Sequence, residues 1–393
     1  MKVAIAGGGI AGLAAACACA MRGIDVQVFE QSPELGDIGA GLQISPNGWR
    51  VLQALGLSDA LSGAAFEPPE IELRLGRSGR RIWRMPMGAT ARSRWGAPYL
   101  LVHRADLIDA LAARLHALAP GALVTGRHVT GYADGQLLFA EGVAAADLIV
   151  GADGLHSVIR AQMIGPDKPV YTGNVAWRGL VPAADLGEDA PPANVTIWAG
   201  QSRHAVTTRV RGGGMVNFVG MIETPDPGEE GWRITGNAAD VAPLFDGWAA
   251  PIRRILEHAT ALHRWALFDR APLPRWSDGA ACLIGDAAHP MLPSFAQGAV
   301  QGLEDAWVLA SELATCTSPG DAARALYAQR IERTARLQHL SAVNAAMFHR
   351  AGPLKSPIYY GGMAAVAKLA PSILYKRQDW AYGDDVIARH PLS

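Results

Sequence analysis

Three short stretches, far apart in the chain, hold residues whose types and spacing could do chemistry. In GGGIAGL, Gly7, Gly9 and Gly12 stand in G-x-G-x-x-G order, and Glu30 arrives eighteen residues after Gly12. That is the spacing of a dinucleotide site. Gly7 permits the tight turn, Gly9 lets a pyrophosphate approach backbone N–H groups at a helix N-terminus, and Gly12 lets helix and strand pack closely. Glu30 can accept hydrogen bonds from both ribose hydroxyls and would repel a 2′-phosphate, so the first nucleotide reads as FAD or NAD rather than NADP. In GADG, Asp153 occupies a second glycine turn. GDAAHPMLPSFAQGAVQGLEDA then puts Asp286 at a strand end, where ligands bind in parallel sheets, and Gly298 before a helix whose N-terminal dipole favours negative charge. A lone strand-end aspartate is more often a helix cap; the rest of that segment favours a cofactor contact.

The elements that must position these residues follow from local patterning. VAIA reads as a strand, AGLAAACACAMRG as a helix closed by Gly23, and IDVQVFE as a second strand, together a βαβ unit. The opening nineteen-odd residues also carry features of a secretory signal, but glycine costs about 1 kcal/mol relative to alanine inside a helix, which disfavours an apolar leader or span. The segment therefore reads as retained, in a cytoplasmic protein. GDIGAGLQISPNGWRVLQALGL predicts a glycine-rich loop and a short helix with Ser45 or Asn47 as cap. Residues 68 to 84 alternate around a glycine turn, a hairpin whose Arg77, Arg80, Arg81 and Arg84, with Trp83, form a solvated face or, less simply, an anion contact. HRADLIDALAARLHALAP is an amphipathic helix with a proline stop. Strand-like alternation from about 171 to 275 predicts an inserted antiparallel sheet. After it come a short buried strand, ACLIGDA, a helix through QGLEDAWVLASELA, and a long helix capped by Asp321 and stopped at Gly352-Pro353.

Composition narrows the function classes. Lysine and arginine number 35 against 36 acidic residues, so no global field points to nucleic acid or an anionic membrane. The four cysteines show no C-x-x-C or zinc spacing and read as reduced thiols, and no metal is expected. Neither H-E-x-x-H nor G-x-S-x-G occurs. Trp83, Trp95 and Trp232 are core residues or part of a partner surface. A homodimer is the commonest oligomer to expect.

Taken in order, GGGIAGL, HRADL, the Asp-Gly pair at 153, YTGNVAWRGL at 171, GDAAHP, QGLEDA and the tail WAYGDD make the chain resemble the FAD-dependent aromatic hydroxylases of the para-hydroxybenzoate hydroxylase fold. Within them the likeness is to the salicylate and 3-hydroxybenzoate hydroxylase branch, and it covers nearly the whole chain. The resemblance implies an α/β fold: a Rossmann-like FAD-binding domain over 1–70, 98–170 and 276–345, an antiparallel substrate-binding sheet over 71–97 and 171–275, and a helical tail over 346–393. It implies that Glu30 binds the adenosine ribose of FAD, with Ala11 and Gln31 among the cofactor contacts. Arg104 would touch the flavin's sugar chain or pyrophosphate, and Val129 would lie near adenine. Asp286 would hold the ribityl or pyrophosphate part, Gly298 would face the isoalloxazine ring, and Asp153 would help hold pyrophosphate and reduced nicotinamide. NADH or NADPH is the co-substrate, with no separate domain for it.

The expected chemistry is oxygen transfer from a flavin hydroperoxide to an electron-rich ring. A phenolate is a better nucleophile than a phenol, so a base near the ring hydroxyl raises the rate. The site must close and stay dry, which suits the apolar run Pro290-Met291-Leu292-Pro293 beside Phe295. The resemblance implies that the Pro293 carbonyl orients the transferred hydroxyl and that Met291 lies against substrate. His204 is the candidate base, since related aromatic-acid hydroxylases often carry histidine there; a structural strand histidine is the competing reading. Arg209, on the opposite strand face by alternation, is a weaker candidate for a substrate carboxylate. Relatives often have an aromatic residue and proline where Thr208-Arg209 stand. The reading is an NAD(P)H-consuming monooxygenase of a small hydroxylated aromatic or heteroaromatic acid. The same fold reducing or epoxidising a non-aromatic substrate, and a non-catalytic flavin-binding redox module, are the alternatives.

Overall fold

The computed structural model describes residues 1–35, 40–166, 168–228, 234–349 and 356–392. Lys2–Ala6 is almost wholly apolar and lies at the centre of a six-stranded sheet, with Val3 to Ala6 fully buried. It pairs in parallel with Asp25–Phe29 on one side and Leu148–Gly151 on the other. Ala281–Leu283 extends the sheet beyond Leu148–Gly151, again in parallel. Continuous apolar runs of this kind are what a parallel sheet covered on both faces requires.

The first helix, Ile10–Ala20, is apolar on all sides and correspondingly buried, packed against the helices Arg104–Leu118 and Gly298–Thr315. It ends at Ala20, three residues short of the expected glycine; Gly23, at φ +70°, turns the chain toward the second strand. Its cysteines are unpaired, and burial pushes the Cys17 and Cys19 thiols up to about 12. The segment expected as a glycine-rich loop before residue 45 contains a strand, Gly41–Ile44, paired with Leu100–His103; residues 36–39 of that segment lie outside the described residues.

The second sheet has eight strands. From one edge to the other they are Ile234–Gly236, Leu262–Asp269, Val170–Pro182, Met215–Glu223, Arg203–Val210, Val195–Ala199, Glu70–Leu75 and Arg81–Pro86. Successive side chains point to opposite faces. One face buries Trp198, Ala205 and Phe218 in a cluster with Phe245 and with Ile252 of the helix Ala250–His258. The other carries Val206 and Val210 into a cluster with Phe295 and Tyr382, so it faces the loop after the GDAAHP motif and the helical tail.

Two of the hairpin arginines form ion pairs at the surface: Arg81 stands 3.3 Å and Arg84 3.5 Å from Glu70, with both side chains exposed. Trp95 is a core residue, edge-on to Tyr382. Trp83 is half-buried among apolar neighbours, and Trp232 lies outside the described residues. The long helix spans Pro319–Met347, and its cap is Ser318 rather than Asp321. Ser318 Oγ accepts from the Asp321 amide at 3.2 Å and donates to the Asp321 carboxylate at 2.6 Å; proline at the first helical position fixes that start. Gly352-Pro353, the expected stop, lies outside the described residues. The tail adds helices Ser356–Leu369, Ser372–Tyr382 and Val386–Arg389.

Candidate active site

At the nucleotide end the glycines do steric work. Gly7 has φ +105°, and a side chain there would run into the Ala152 carbonyl. A Cβ at Gly12 would collide with the Gly7 carbonyl oxygen. Gly9 faces open space at the start of the first helix, where the first-turn N–H groups have no helix carbonyl to reach. Glu30 accepts from the Gly8 amide at 2.7 Å and the Ser32 amide at 2.9 Å, one per carboxylate oxygen. Each oxygen retains a lone pair for a hydroxyl. Beside it, Gln31 Oε1 meets His128 Nδ1 at 3.1 Å, and Val129 follows, buried. This cradle of amides, open space and a fixed carboxylate fits the adenosine and pyrophosphate of FAD.

Ala11 contributes packing: Cβ atoms placed at Gly285 and Gly302 would stand 2.8 Å and 3.0 Å from its methyl group. The strand-end turn therefore sits directly on the first helix. Ser157 caps the helix Val158–Ile164, and Asp153 holds that start, accepting from Ser157 Oγ at 2.5 Å and from the Val158 amide at 2.8 Å. Burial raises its carboxyl despite those bonds.

The flavin end gathers residues from three segments. Asp286 is exposed on the turn Gly285–Ala287. A Cβ at Gly298 would find Met291 Cγ at 3.6 Å and Asp286 Oδ1 at 3.7 Å. Burial pulls the Arg104 guanidinium down while the Asp286 charge supports it, so the two lie within electrostatic reach. Asp286, Gly298, Met291 and Arg104 are thus brought together.

Behind them lies an ionic network buried under the motif loop. Glu304 receives Arg330 Nη1 at 2.6 Å, Arg333 Nε at 3.0 Å and Asn47 Nδ2 at 2.6 Å. Asp305 receives Arg330 Nε at 2.8 Å, His289 Nε2 at 2.5 Å and the Gly285 amide at 3.0 Å. Burial alone would raise both carboxyls; His289 and Arg330 outweigh it at Asp305 and hold it at about 2. Ser45 begins the helix Pro46–Ala54, but its hydroxyl donates to Asn47 Oδ1 at 2.7 Å and does not cap. Both residues expected as caps belong to this network instead. The apolar loop is held from the other side, since Gln338 Nε2 donates to the Pro290 carbonyl at 2.9 Å and Asn344 Nδ2 to the Ser294 carbonyl at 3.3 Å. The Pro293 carbonyl accepts from the Ala296 amide at 3.0 Å, which leaves it one lone pair.

The candidate substrate face is the motif-facing side of the eight-stranded sheet. His204 and Met221 are register partners, as are Met221 and Ala176, so His204 shares a face with the Leu292 cluster. Two residues further along, Val206, Val219 and Arg178 form the next row. With strands about 4.8 Å apart and two residues' rise along them, the His204 and Arg178 backbones lie roughly 12 Å apart across the sheet. Arg178 was missed by sequence reasoning although it stands in the quoted NVAWRGL. It lies over the Trp265 ring at 4.5 Å, makes no hydrogen bond with a described residue, and its Nε is buried without a partner. Burial, with Arg104 nearby, lowers it to about 10. A cation so placed calls for an anion.

Arg209 is not in this group. Odd-numbered residues of its strand face the opposite way, and its Nη2 donates to the Pro191 carbonyl at 3.0 Å. His204 is 2% exposed, and burial followed by the neighbouring His349 drives its imidazole well below the usual range. Its Nδ1 stands 2.6 Å from His349 Nε2, and His349 Nδ1 stands 2.8 Å from Glu223 Oε1. A cavity of about 660 Å³, open to solvent, is lined by Glu223, His349, Asn174, Asp269 and Leu292 among others. Among the described residues no cluster could hold a metal ion, and no helix is long and apolar enough to cross a membrane.

Comparison with known proteins bears on this geometry. The family model described as an FAD binding domain matches residues 1–342. The chain is 38% identical over 354 residues to 3-amino-4-hydroxybenzoate 2-monooxygenase PtnB3 of Streptomyces platensis, covering 88% of each chain. It is 33% identical over 409 residues to 3-hydroxybenzoate 6-hydroxylase of Polaromonas naphthalenivorans (strain CJ2), covering 98% of this chain and 96% of that one. Among solved structures, a salicylate hydroxylase substrate complex superposes with a TM-score of 0.81 at 27% identity, covering 100% of this chain and 97% of that one. With matches that run the length of both sheets and all three motif stretches, the chain belongs to the FAD-binding family of aromatic hydroxylases to which its motifs point, and FAD is its cofactor.

Proposed function

We propose that this enzyme hydroxylates a small aromatic or heteroaromatic acid that already carries a ring hydroxyl, using O2 and NADH or NADPH. The observation that carries the reading is one sheet face presenting a neutral imidazole, His204, and an uncompensated guanidinium, Arg178, beside the Met291–Leu292 loop and Gly298. Bound FAD, reduced by the nicotinamide, supplies the activated oxygen. The chain's own residues orient and ionise the substrate. Arg178 holds the carboxylate, replacing Arg209 in that role, and a charge-assisted pair stripped of water orients as well as binds. His204 Nε2, which makes no hydrogen bond among the described residues, takes the ring hydroxyl's proton. Met291, Leu292 and Phe295 exclude water, and the remaining lone pair of the Pro293 carbonyl receives the new hydroxyl.

The reading extends to the FAD contacts of Gly7, Gly9, Ala11, Gly12, Glu30, Gln31, Arg104, Val129, Asp153, Asp286 and Gly298. It also includes an FAD part over 1–70, 98–170 and 276–345, a cytoplasmic setting and a homodimer. The test is NADH and NADPH consumption by the purified yellow protein in air across salicylate, hydroxybenzoates, hydroxynicotinates and simple phenols, with product quantified. Stimulated turnover with stoichiometric hydroxylated product supports the reading, and release of CO2 alongside it would show that the carboxylate sat on the attacked carbon. No stimulation by any member sinks it.

A further inference from the structure

The imidazole expected to take the substrate's proton is in a poor place to keep it. His204 is buried, and a second imidazole rather than a carboxylate stands against its Nδ1. A cation formed there would meet no compensating charge on its own strand: Arg203, next in the chain, is on the opposite face, donating to the Leu244 carbonyl, and the strand partners Ala199 and Met221 do not titrate. Phe348 packs on the ring at 5.3 Å and is equally inert. On the same face Arg178 is another cation, and the Glu223 carboxylate, two residues beyond Met221, reaches His204 through His349 rather than directly. Protonating His204 and leaving it so therefore works against the low-dielectric site.

The geometry points to a proton exit that runs from His204 through His349 to Glu223. His204 Nδ1 to His349 Nε2 is 2.6 Å, and His349 Nδ1 to Glu223 Oε1 is 2.8 Å, both within the range of a direct hydrogen bond. Glu223 is 46% exposed and lines the solvent-open cavity, with Asp269 as the other carboxylate on its wall. His349 is anchored as well, its carbonyl accepting from the Ser202 amide. Burial lowers the His349 imidazole although the Glu223 carboxylate opposes it, so neither ring favours keeping the proton and the half-exposed carboxylate is where it leaves.

This exit rests on the proposed hydroxylation, and its protons balance as follows. In the resting tautomers each imidazole carries its hydrogen on Nδ1. The substrate O–H proton moves to His204 Nε2, the His204 Nδ1 proton to His349 Nε2, and the His349 Nδ1 proton to Glu223, which releases it to water. Neither ring remains a cation. The reverse sequence returns a proton to the product oxygen and restores both tautomers, so a full cycle consumes none. His349 and Glu223 act through His204 and are positioning residues of the site.

The test needs no turnover. Parent, His349→Phe and Glu223→Gln proteins, loaded with FAD and without nicotinamide, are mixed with the phenolic acid that best stimulates the parent. Phenolate absorbance and a pH indicator follow ionisation and proton release. The parent ionises the bound phenol and releases about one proton. His349→Phe is expected to slow ionisation roughly 100-fold, the scale of a positioned proton acceptor, with partial rescue by added imidazole and a shifted pH dependence. Glu223→Gln is expected to slow release to solvent by about tenfold with affinity unchanged. Equal ionisation rates and pH dependence in parent and variants overturn the exit while leaving hydroxylation standing. If His349→Phe fails to hold FAD, Glu223→Gln alone decides. A parent that no phenol stimulates overturns the hydroxylase reading and the exit with it.

Discussion

The two ends of the site are built from different materials. At the nucleotide end the work is done by backbone: glycines that permit a turn and a close approach, and amides left open at a helix start. At the substrate face it is done by side chains from strands that meet only through register, such as His204 with Met221 and Arg178 with Val219. The first arrangement tolerates almost no side chain and little choice of ligand. The second can change ligand by changing one residue per strand, since the sheet keeps the positions and the side chains set the chemistry.

That contrast can be broken from either end. The largest effect is expected from Gly12→Val, whose side chain would meet the Gly7 carbonyl. The variant should purify colourless, and a yellow protein with full flavin content would remove the steric argument. Next comes His204→Ala, expected to slow hydroxylation roughly 100-fold near neutral pH. The loss should shrink toward pH 10, where a phenol ionises unaided. A pH-independent loss measured across pH 6 to 10 would instead assign His204 to structure.

Arg330→Met tests the network that both ends share. Removing one partner of a buried ionic cluster costs about 3–5 kcal/mol, read as a lowered denaturant midpoint. The sign of its pH dependence follows from Asp305, whose folded value of about 2 lies below the unfolded value of about 3.9. Its contribution is fully present above pH 4 and is lost as pH falls through 2, so the parent should lose stability over that window more steeply than the variant. The smallest effects come from a matched pair. Arg178→Met should raise KM for a carboxylated substrate about tenfold, whereas Arg209→Met, on the far face, should change it less than about twofold. Reversed magnitudes would return the carboxylate to Arg209.

What could be read from the sequence follows the same division. The glycine fingerprint with Glu30, and Asp286 with Gly298, are local patterns whose geometry is set within a few residues of backbone, and the structure brings Asp286, Gly298, Met291 and Arg104 together. Strand alternation also separated His204 from Arg209. Arg178 was visible as a letter but not as a site, because its importance depends on having no partner, which is a property of packing. The pairing of His204 with His349 spans 145 positions and depends on where a helix ends. Ser45 and Asn47 looked like caps because their short polar side chains usually serve locally; here Glu304 and Gln297, some 250 residues away, compete successfully for them.

The helix Pro319–Met347 joins the two ends mechanically. It holds Arg330 in the ionic network under the flavin turn, then Gln338 and Asn344 on the apolar loop, and it leads directly to His349. At about 1.5 Å per residue, Arg330 and Asn344 stand about 21 Å apart along one rod. The rod is a phase gauge as much as a spacer, for inserting one residue between them would swing the far contacts by about 100°. Length variation among proteins built on this plan should accordingly be absorbed before Pro319 or after Met347, and a lineage that altered the rod itself would have to retune flavin turn, loop and base in a single step.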